Sequence, residues 1–97
     1  MIMRITWGKL RPGSWQEFEQ AYHKVVVGKN AKGLRGRWLA QDVNDPDGGF
    51  SVSLWETQAD MQAYEQSEAF QKDIRPALQP FFAGEYTTYH CDVKYDQ

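Results

Sequence analysis

The sequence predicts an α+β fold whose elements follow the order βαββαβ and form a four-stranded antiparallel sheet with helices on one face. Three observations carry this prediction. Four segments alternate apolar and polar residues or are rich in β-branched and aromatic residues, as strands are. Two other regions repeat apolar residues at helical spacing, each after a Ser or Thr that can cap a helix. The turn-forming stretch at residues 44–49 joins two of the strand-like segments as a hairpin.

The first strand is predicted at residues 2–10, which have one clearly apolar face that includes Trp7. The sequence Arg-Pro-Gly ends this strand. Ser14 and Glu17 then match a capping box, in which each side chain satisfies a free backbone N–H of the other residue. A helix is therefore predicted from residue 15 to about residue 28, with an apolar stripe formed by Trp15, Phe18, Tyr22, Val25 and Val26.

The second and third strands are predicted on either side of the hairpin turn, at residues 34–43 and 50–56. Successive residues of a strand point to opposite faces of the sheet. The third strand therefore places Leu54 and its alternate neighbours on one face, and Trp55 and its alternate neighbours on the other.

The second helical region is predicted to begin at Thr57, because Asp60 can take the place of the Glu or Gln of a capping box. A further helical segment restarts at Ser67 and is limited by the two prolines that follow. The fourth strand is predicted at residues 85–95, which are rich in Tyr, Thr and Val.

Both faces of the predicted sheet carry bulky apolar side chains. On the first strand these include Ile5 and Trp7, and on the third strand they include Phe50 and, on the opposite face, Trp55. Helices can cover only one face of a sheet. The other face is therefore expected to need a partner, most simply a second copy of the chain.

The composition excludes several classes of protein. Eleven Lys and Arg against 13 Asp and Glu give a net charge of −2, which is a poor electrostatic match for nucleic acid. No apolar run approaches the roughly 20 residues of a membrane helix, and the N-terminal residues lack the apolar centre of a signal peptide. A lone Cys cannot form an internal disulfide. We therefore expect one soluble domain, residues 1–97, located in the cytoplasm.

The sequence SLWETQADMQAY at residues 53–64, followed by Ser-Glu-Ala-Phe at residues 67–70, is the most distinctive part of the chain. It combines a strand ending in Trp, a polar helix cap and a short helix that ends before Ser-x-x-Phe. With the Pro-Gly-Ser-Trp-Gln-Glu-Phe start of the first helix, this pattern resembles the antibiotic-biosynthesis monooxygenase family over residues 2–93. The resemblance implies a ferredoxin-like fold that dimerises into an α+β barrel.

The resemblance also implies a function. Several members of that family oxidise quinols or anthrone-like intermediates with molecular oxygen, without metal or flavin, because the deprotonated substrate itself reduces oxygen. The implied function is a cofactor-independent monooxygenase that acts on a small aromatic substrate. Members that degrade haem have a His on the helix after the Trp. Ile74 stands at about that position here, so haem degradation is not expected.

Three residues are candidate catalytic groups. The resemblance implies that Trp55 forms a wall of the substrate pocket and that Arg75 matches a basic side chain used by members that oxidise polyketides. His90 is the preferred base, since His can accept a proton near neutral pH and its strand can aim it at a pocket. Each has an ordinary alternative: Trp55 as a core aromatic, Arg75 pointing into water, and His90 at the surface.

Four residues are candidate substrate-binding groups. Thr6 and Ser51 occupy the strand positions where the family often has a polar amide. Tyr64 and Phe81 are expected to help close the apolar volume of the pocket.

The chain offers little support for other chemistry. Its only two His residues, His23 and His90, lack the spacing of a metal site, so no metal is expected. Cys91 is expected to be a small buried apolar residue, because its immediate neighbours on the strand point to the opposite face and cannot activate it.

A second function of a different class stays open. The scarcity of His and the missing amide favour a non-catalytic dimeric module that binds a small hydrophobic ligand. In either function, Arg35 and Arg37 lie on the same side of one strand. They could hold an acidic ligand, face solvent or bridge to a carboxylate across the dimer.

Overall fold

The computed structural model describes all 97 residues and shows the predicted order of elements. The strands are β1 (Ile2–Leu10), β2 (Leu34–Gln41), β3 (Gly48–Trp55) and β4 (Phe82–Asp92). The helices are α1 (Trp15–Val25), α2 (Gln58–Glu65) and α3 (Arg75–Leu78). A π-helical segment (Ala69–Ile74) leads into α3, and a 3₁₀ turn (Gln79–Phe81) follows it.

The four strands form one antiparallel sheet in the order β2-β3-β1-β4. Thr6, in the middle of β1, lies opposite Ser51 of β3 and Thr88 of β4. The helices pack on a single face of the sheet, which we call the inner face. This arrangement confirms the predicted α+β, ferredoxin-like fold.

The core lies between the inner face and the helices. Leu10 ends β1 within a buried cluster that also contains Phe18, Tyr22, Val26 and Ile74. Trp55 and Met61 are completely buried beside this cluster. Because complete burial of a side chain as large as Met contributes about 1.5–3 kcal/mol, these few residues account for much of the attachment of the helices to the sheet.

The two predicted helix caps have different outcomes. The Thr57 hydroxyl accepts a hydrogen bond from the Asp60 backbone N–H at 3.1 Å, as predicted. The prediction of a capping box at Ser14 is wrong, because the Ser14 hydroxyl donates instead to the Arg11 carbonyl at 2.6 Å. Ser14 has φ −99° and ψ 4° rather than an extended backbone, so its hydroxyl turns back into the preceding turn.

Element boundaries also differ from the sequence-based expectation. Helix α1 ends at Val25 rather than near residue 28, since the chain turns there and Gly28 takes a positive φ of 81°. Strand β4 runs over Phe82–Asp92 rather than residues 85–95. Its earlier start follows from pairing with β1, where Phe82 lies opposite Leu10 beyond a register shift.

The face of the sheet opposite the helices, which we call the outer face, is strongly apolar. A row of side chains crosses all four strands on this face, in the order Trp38, Val52, Ile5 and Tyr89. Trp38 is 52% exposed and Tyr89 is 55% exposed, because no element of the chain covers them. Cys91 is exposed as well, which corrects the expectation of a buried thiol.

Candidate functional site

A cavity of about 100 Å³ lies between the inner face and the second helical region, and we call it the inner cavity. Its floor consists of alternate residues of the strands, and short hydroxyl side chains occupy the middle of that floor. Because Thr6, Ser51 and Thr88 pair directly across β1, β3 and β4, three short side chains fall in one row and leave space above the sheet. The opposite wall comes from the helical region and includes Tyr64, Phe70, Ile74, Arg75 and Leu78.

The hydroxyl groups of the floor are already hydrogen-bonded to one another. The Thr6 and Thr88 hydroxyls are 2.9 Å apart, and the Tyr22 hydroxyl is 3.3 Å from that of Ser51. Hydroxyl groups can both donate and accept, so each pair can rotate to bind an oxygen of a ligand. The floor therefore offers two adjustable polar contacts next to the aromatic and aliphatic side chains of the cavity.

A network of charged side chains holds Arg4 at one end of the cavity. The Arg4 Nε donates to the Glu65 Oε2 at 2.7 Å, and the His90 Nε2 lies 2.9 Å from the same oxygen. Burial acts to raise the pKa of Glu65, but the hydrogen bonds from Arg4 and His90 outweigh it and hold this pKa below its ordinary value. Glu65 is therefore ionised at neutral pH and fixes the Arg4 guanidinium against the Phe70 ring, 5.1 Å from its centroid.

Tyr64 lies at the centre of the aromatic wall. Its ring centroid is 4.9 Å from that of Trp55 and 5.1 Å from that of Phe70. The Arg37 guanidinium is 5.3 Å from the Tyr64 ring centroid. Burial raises the pKa of the Tyr64 phenol above its ordinary value, although Arg37 and Arg4 act in the opposite direction. Tyr64 therefore keeps its proton at neutral pH and can donate a hydrogen bond.

Trp55 lies behind the cavity rather than in its wall. Its side chain is completely buried, and its Nε1 donates to the Ser53 Oγ at 2.9 Å. Ser53 and Tyr64 both line the inner cavity, and Trp55 contacts each of them from behind. The structure thus places Trp55 as a support for two lining residues.

The other predicted site residues divide into two groups. Thr6, Ser51, Tyr64 and Arg75 all line the inner cavity. Phe81 and His90 do not. The Phe81 ring packs edge-on against Phe18 at 5.7 Å, and His90 reaches the cavity only through Glu65 and Arg4.

Sequence reasoning missed two cationic residues of the cavity. Both Arg4 and Arg37 line the inner cavity. Arg4 was not among the candidate residues, and Arg37 was considered together with Arg35 as a residue that could hold an acidic ligand, but not as a residue of this pocket. A signal for Arg4 existed, since it shares the face of its strand with Thr6. For Arg37, the signal was its position two residues before Leu39, which packs against the core.

No cluster of metal-ligating side chains is found in the structure. The structure brings together no group of three His, Cys, Asp or Glu side chains that could hold a metal ion. Ile74, which the resemblance places at about the position of the His of haem-degrading members, is buried in the core cluster.

The comparison with protein families decides what kind of domain this is. The family model for antibiotic biosynthesis monooxygenase matches residues 1–75. The chain belongs to this family. The matched region extends from β1 to the first residue of α3, so it includes every cavity residue named so far except Leu78 and Thr88.

Solved structures share the fold of this monooxygenase-family domain. A conserved protein from Methanosarcina mazei Go1 has a TM-score of 0.84 at 16% identity, over 96% of this chain and 92% of that chain. A protein from Bordetella bronchiseptica, described as a proposed antibiotic biosynthesis monooxygenase, has a TM-score of 0.82 at 25% identity, over 97% of each chain. A protein of the same description from Caulobacter crescentus CB15 has a TM-score of 0.83 at 18% identity, over 97% and 90%. Comparison with curated protein sequences gives no match.

The helices of this family member are all too short or too polar to cross a lipid bilayer.

Proposed function

We propose that the protein is a cofactor-independent monooxygenase that oxidises a small aromatic substrate of the quinol or anthrone type in the inner cavity. The observation that carries this proposal is the convergence of aromatic walls, paired hydroxyl groups and guanidinium groups on one cavity of a monooxygenase-family domain. Side chains of these kinds can contact an aromatic ring and favour loss of a phenolic proton from it.

The reaction is oxidation by molecular oxygen once the substrate is an anion. For an anthrone-type methylene, one oxygen atom becomes the new carbonyl oxygen. The other leaves as water with the two methylene hydrogens. The electrons come from the substrate, so the protein has to bind the ring, stabilise the anion and exclude bulk water.

The residues divide these tasks according to their positions. Phe70 and Leu78 pack against the ring, and the hydroxyl pair of Thr6 and Thr88 binds a ring oxygen. Arg75 is an exposed residue that contributes to the lining of the cavity, and its Nη1 donates a hydrogen bond to the neutral side chain of Gln71 at 3.2 Å. Its charge is therefore available to stabilise a phenolate or enolate.

Most of the remaining predicted site residues act by positioning other residues that line the cavity. Trp55 positions Ser53 and Tyr64, and His90 helps Glu65 to position Arg4. Ser51 presents its hydroxyl together with that of Tyr22. In this proposal, Trp55 and His90 are positioning residues and Arg75 is the catalytic cation.

We also propose that the protein works as a homodimer joined through the outer face. The row from Trp38 to Tyr89 is a contiguous apolar surface that the chain itself leaves uncovered. A second copy would cover it with an equally apolar surface.

Oxygen uptake with a panel of quinols and anthrones tests the enzymatic proposal. We expect uptake above autoxidation, and we expect Arg75→Ala to lower the rate about tenfold or more because an anion-stabilising group is removed. Lys72→Ala is the matched control, since Lys72 is an exposed cation of the same helical region that does not line the inner cavity. Uptake no faster than autoxidation for every compound contradicts the proposal and favours a non-catalytic dimeric module that binds a hydrophobic ligand.

A further inference from the structure

A second, larger cavity adjoins the inner cavity. It is an open groove of about 960 Å³ between α1 and β2, and we call it the α1/β2 groove. Three residues line both spaces, namely Tyr22, Val26 and Arg37. Tyr22 and Val26 are buried members of the core cluster, whereas Arg37 is a long, partly exposed side chain. Arg37 is thus the one shared residue that can move without disturbing the core.

The inner cavity alone is small for an aromatic ligand. Its volume is about 100 Å³, whereas an apolar protein cavity that binds benzene measures about 150 Å³. An aromatic ring with substituents therefore needs space beyond the inner cavity. The α1/β2 groove is the adjoining space, and Arg37 lines both.

The charges around Arg37 favour an anion. Arg4 is paired with Glu65 and Arg35 is paired with Glu56, but Arg37 forms no ion pair. Its guanidinium instead lies over the Tyr64 ring. No Asp or Glu lines the inner cavity, and Glu19 is the single acidic residue lining the groove. Asp60 lines a neighbouring cavity together with Arg37, but the two side chains form no ion pair. A guanidinium without a carboxylate partner, facing a cavity without acidic residues, is suited to binding an anionic oxygen.

We propose that the inner cavity and the α1/β2 groove form one binding site for an aromatic compound that carries a carboxylate, and that Arg37 binds this carboxylate between the two spaces. The aromatic ring occupies the inner cavity beside Tyr64 and Phe70, and the ligand enters from the groove. This inference rests on the proposed function because it names the substrate class of that same site. It makes Arg37 the residue that selects acidic over neutral aromatic substrates.

Binding of a matched pair of compounds, measured by calorimetry without oxygen, tests this inference. The probes are 2,5-dihydroxybenzoate, a quinol that carries a carboxylate, and its neutral analogue 2,5-dihydroxybenzamide. We expect the acid to bind about tenfold or more tightly than the amide, because a hydrogen bond to a charged group contributes that much.

The variants assign the preference to Arg37. We expect Arg37→Gln to bind the acid and the amide equally, and Arg37→Lys to keep part of the preference because it keeps the charge. Arg35→Gln is the matched control, since Arg35 lies two residues away on the same strand and lines neither space. Circular dichroism of each variant shows whether it is folded. If Arg37→Gln does not fold, the conservative variant Arg37→Lys still tests the role of Arg37.

Three results would overturn the inference: equal affinity for the two probes, no binding of either probe, or a preference that survives in Arg37→Gln. The outcome is separate from that of the proposed function, since no oxygen is present. Preferential binding of the acid without oxygen uptake in air leaves the site in place and contradicts the oxidation. Rapid oxygen uptake with neutral quinols, together with equal binding of the acid and the amide, supports the proposed oxidation and contradicts the carboxylate site at Arg37.

Discussion

The Trp55 indole donates its only hydrogen bond to the hydroxyl of Ser53, two residues earlier on the same strand, at 2.9 Å. Both residues are buried. Residues two apart on a strand share a face, so β3 itself brings the two groups together. The bond satisfies the indole N–H in the interior and leaves the rest of the ring free to pack against Tyr64.

Removal of the Ser53 hydroxyl should destabilise the protein through Trp55. We expect Ser53→Ala to lower the free energy of unfolding by about 1–3 kcal/mol, since a buried N–H then has no partner. Urea unfolding measures this. In the Trp55→Phe background, which has no indole N–H, we expect Ser53→Ala to lower the free energy of unfolding by clearly less. Equal costs in the two backgrounds would show that the hydrogen bond does not matter to stability.

Gly8 should not tolerate a side chain, because the Phe82 ring occupies the space where its Cβ would be. The Phe82 ring stacks on Tyr86 at 5.0 Å and packs on Phe18 at 5.8 Å, so it cannot move away freely. We expect Gly8→Ala to lower the free energy of unfolding by about 1–3 kcal/mol.

A smaller residue at position 82 provides the control for this steric conflict. In the Phe82→Leu background, Gly8→Ala should cost less than in the native chain, and urea unfolding of the four proteins measures the difference. An unchanged cost would mean that the effect of Gly8→Ala arises in the backbone rather than from contact with Phe82.

Alternation along the sequence predicted which face of the sheet each strand residue occupies, but it did not predict how deeply individual residues are buried. Alternation correctly placed Ser51, Ser53 and Trp55 on one face of β3. It could not show that Trp55 lies completely behind Tyr64, because depth depends on how α2 packs on the sheet. Periodicity describes one element, whereas a cavity wall is formed by several elements together.

The contacts of the charged residues were equally beyond prediction from the pattern of a single element. Arg4 and Arg37 share the faces of their strands with residues that pack inward, but neither position reveals a partner. Glu65, which fixes Arg4, is 61 positions away in the chain, and only the packing of α2 against β1 brings them together. The lack of an ion-pair partner for Arg37 is equally a property of the folded chain.

Stability should depend on the ionisation of Glu65. Its pKa in the folded protein is held below its ordinary value of 4.5 by the hydrogen bonds from Arg4 and His90. A lowered carboxyl pKa stabilises the folded state above the ordinary pKa, and this stabilisation is lost as the pH falls through the lowered pKa. The contribution of Glu65 should therefore be complete at pH 7 and should decline below about pH 4.5.

Comparison with Glu65→Gln isolates this contribution, because all other titrating groups are shared with the native chain. We expect the native chain to be the more stable by about 1 kcal/mol or more at pH 7, and the difference to shrink between pH 4.5 and pH 3. Urea unfolding at a series of pH values measures it. Glu68→Gln is the control, since Glu68 is 86% exposed in its ion pair with Lys72. A Glu65→Gln difference that is independent of pH would mean that Glu65 is not coupled to Arg4 and His90 as the structure indicates.

The outer face should control the oligomeric state. The chain mass is 11.3 kDa, and we expect sedimentation at micromolar concentration to give about twice this value because a dimer covers the apolar row. Trp38→Glu should shift the protein towards the monomer, since it places a charge within the apolar row of the outer face. Val43→Glu is the matched control, because Val43 is 96% exposed and lies beyond the end of β2. A native chain that sediments as a monomer would contradict the proposed dimer, whereas dissociation by both variants to the same extent would mean that the contact is not specific to the outer face.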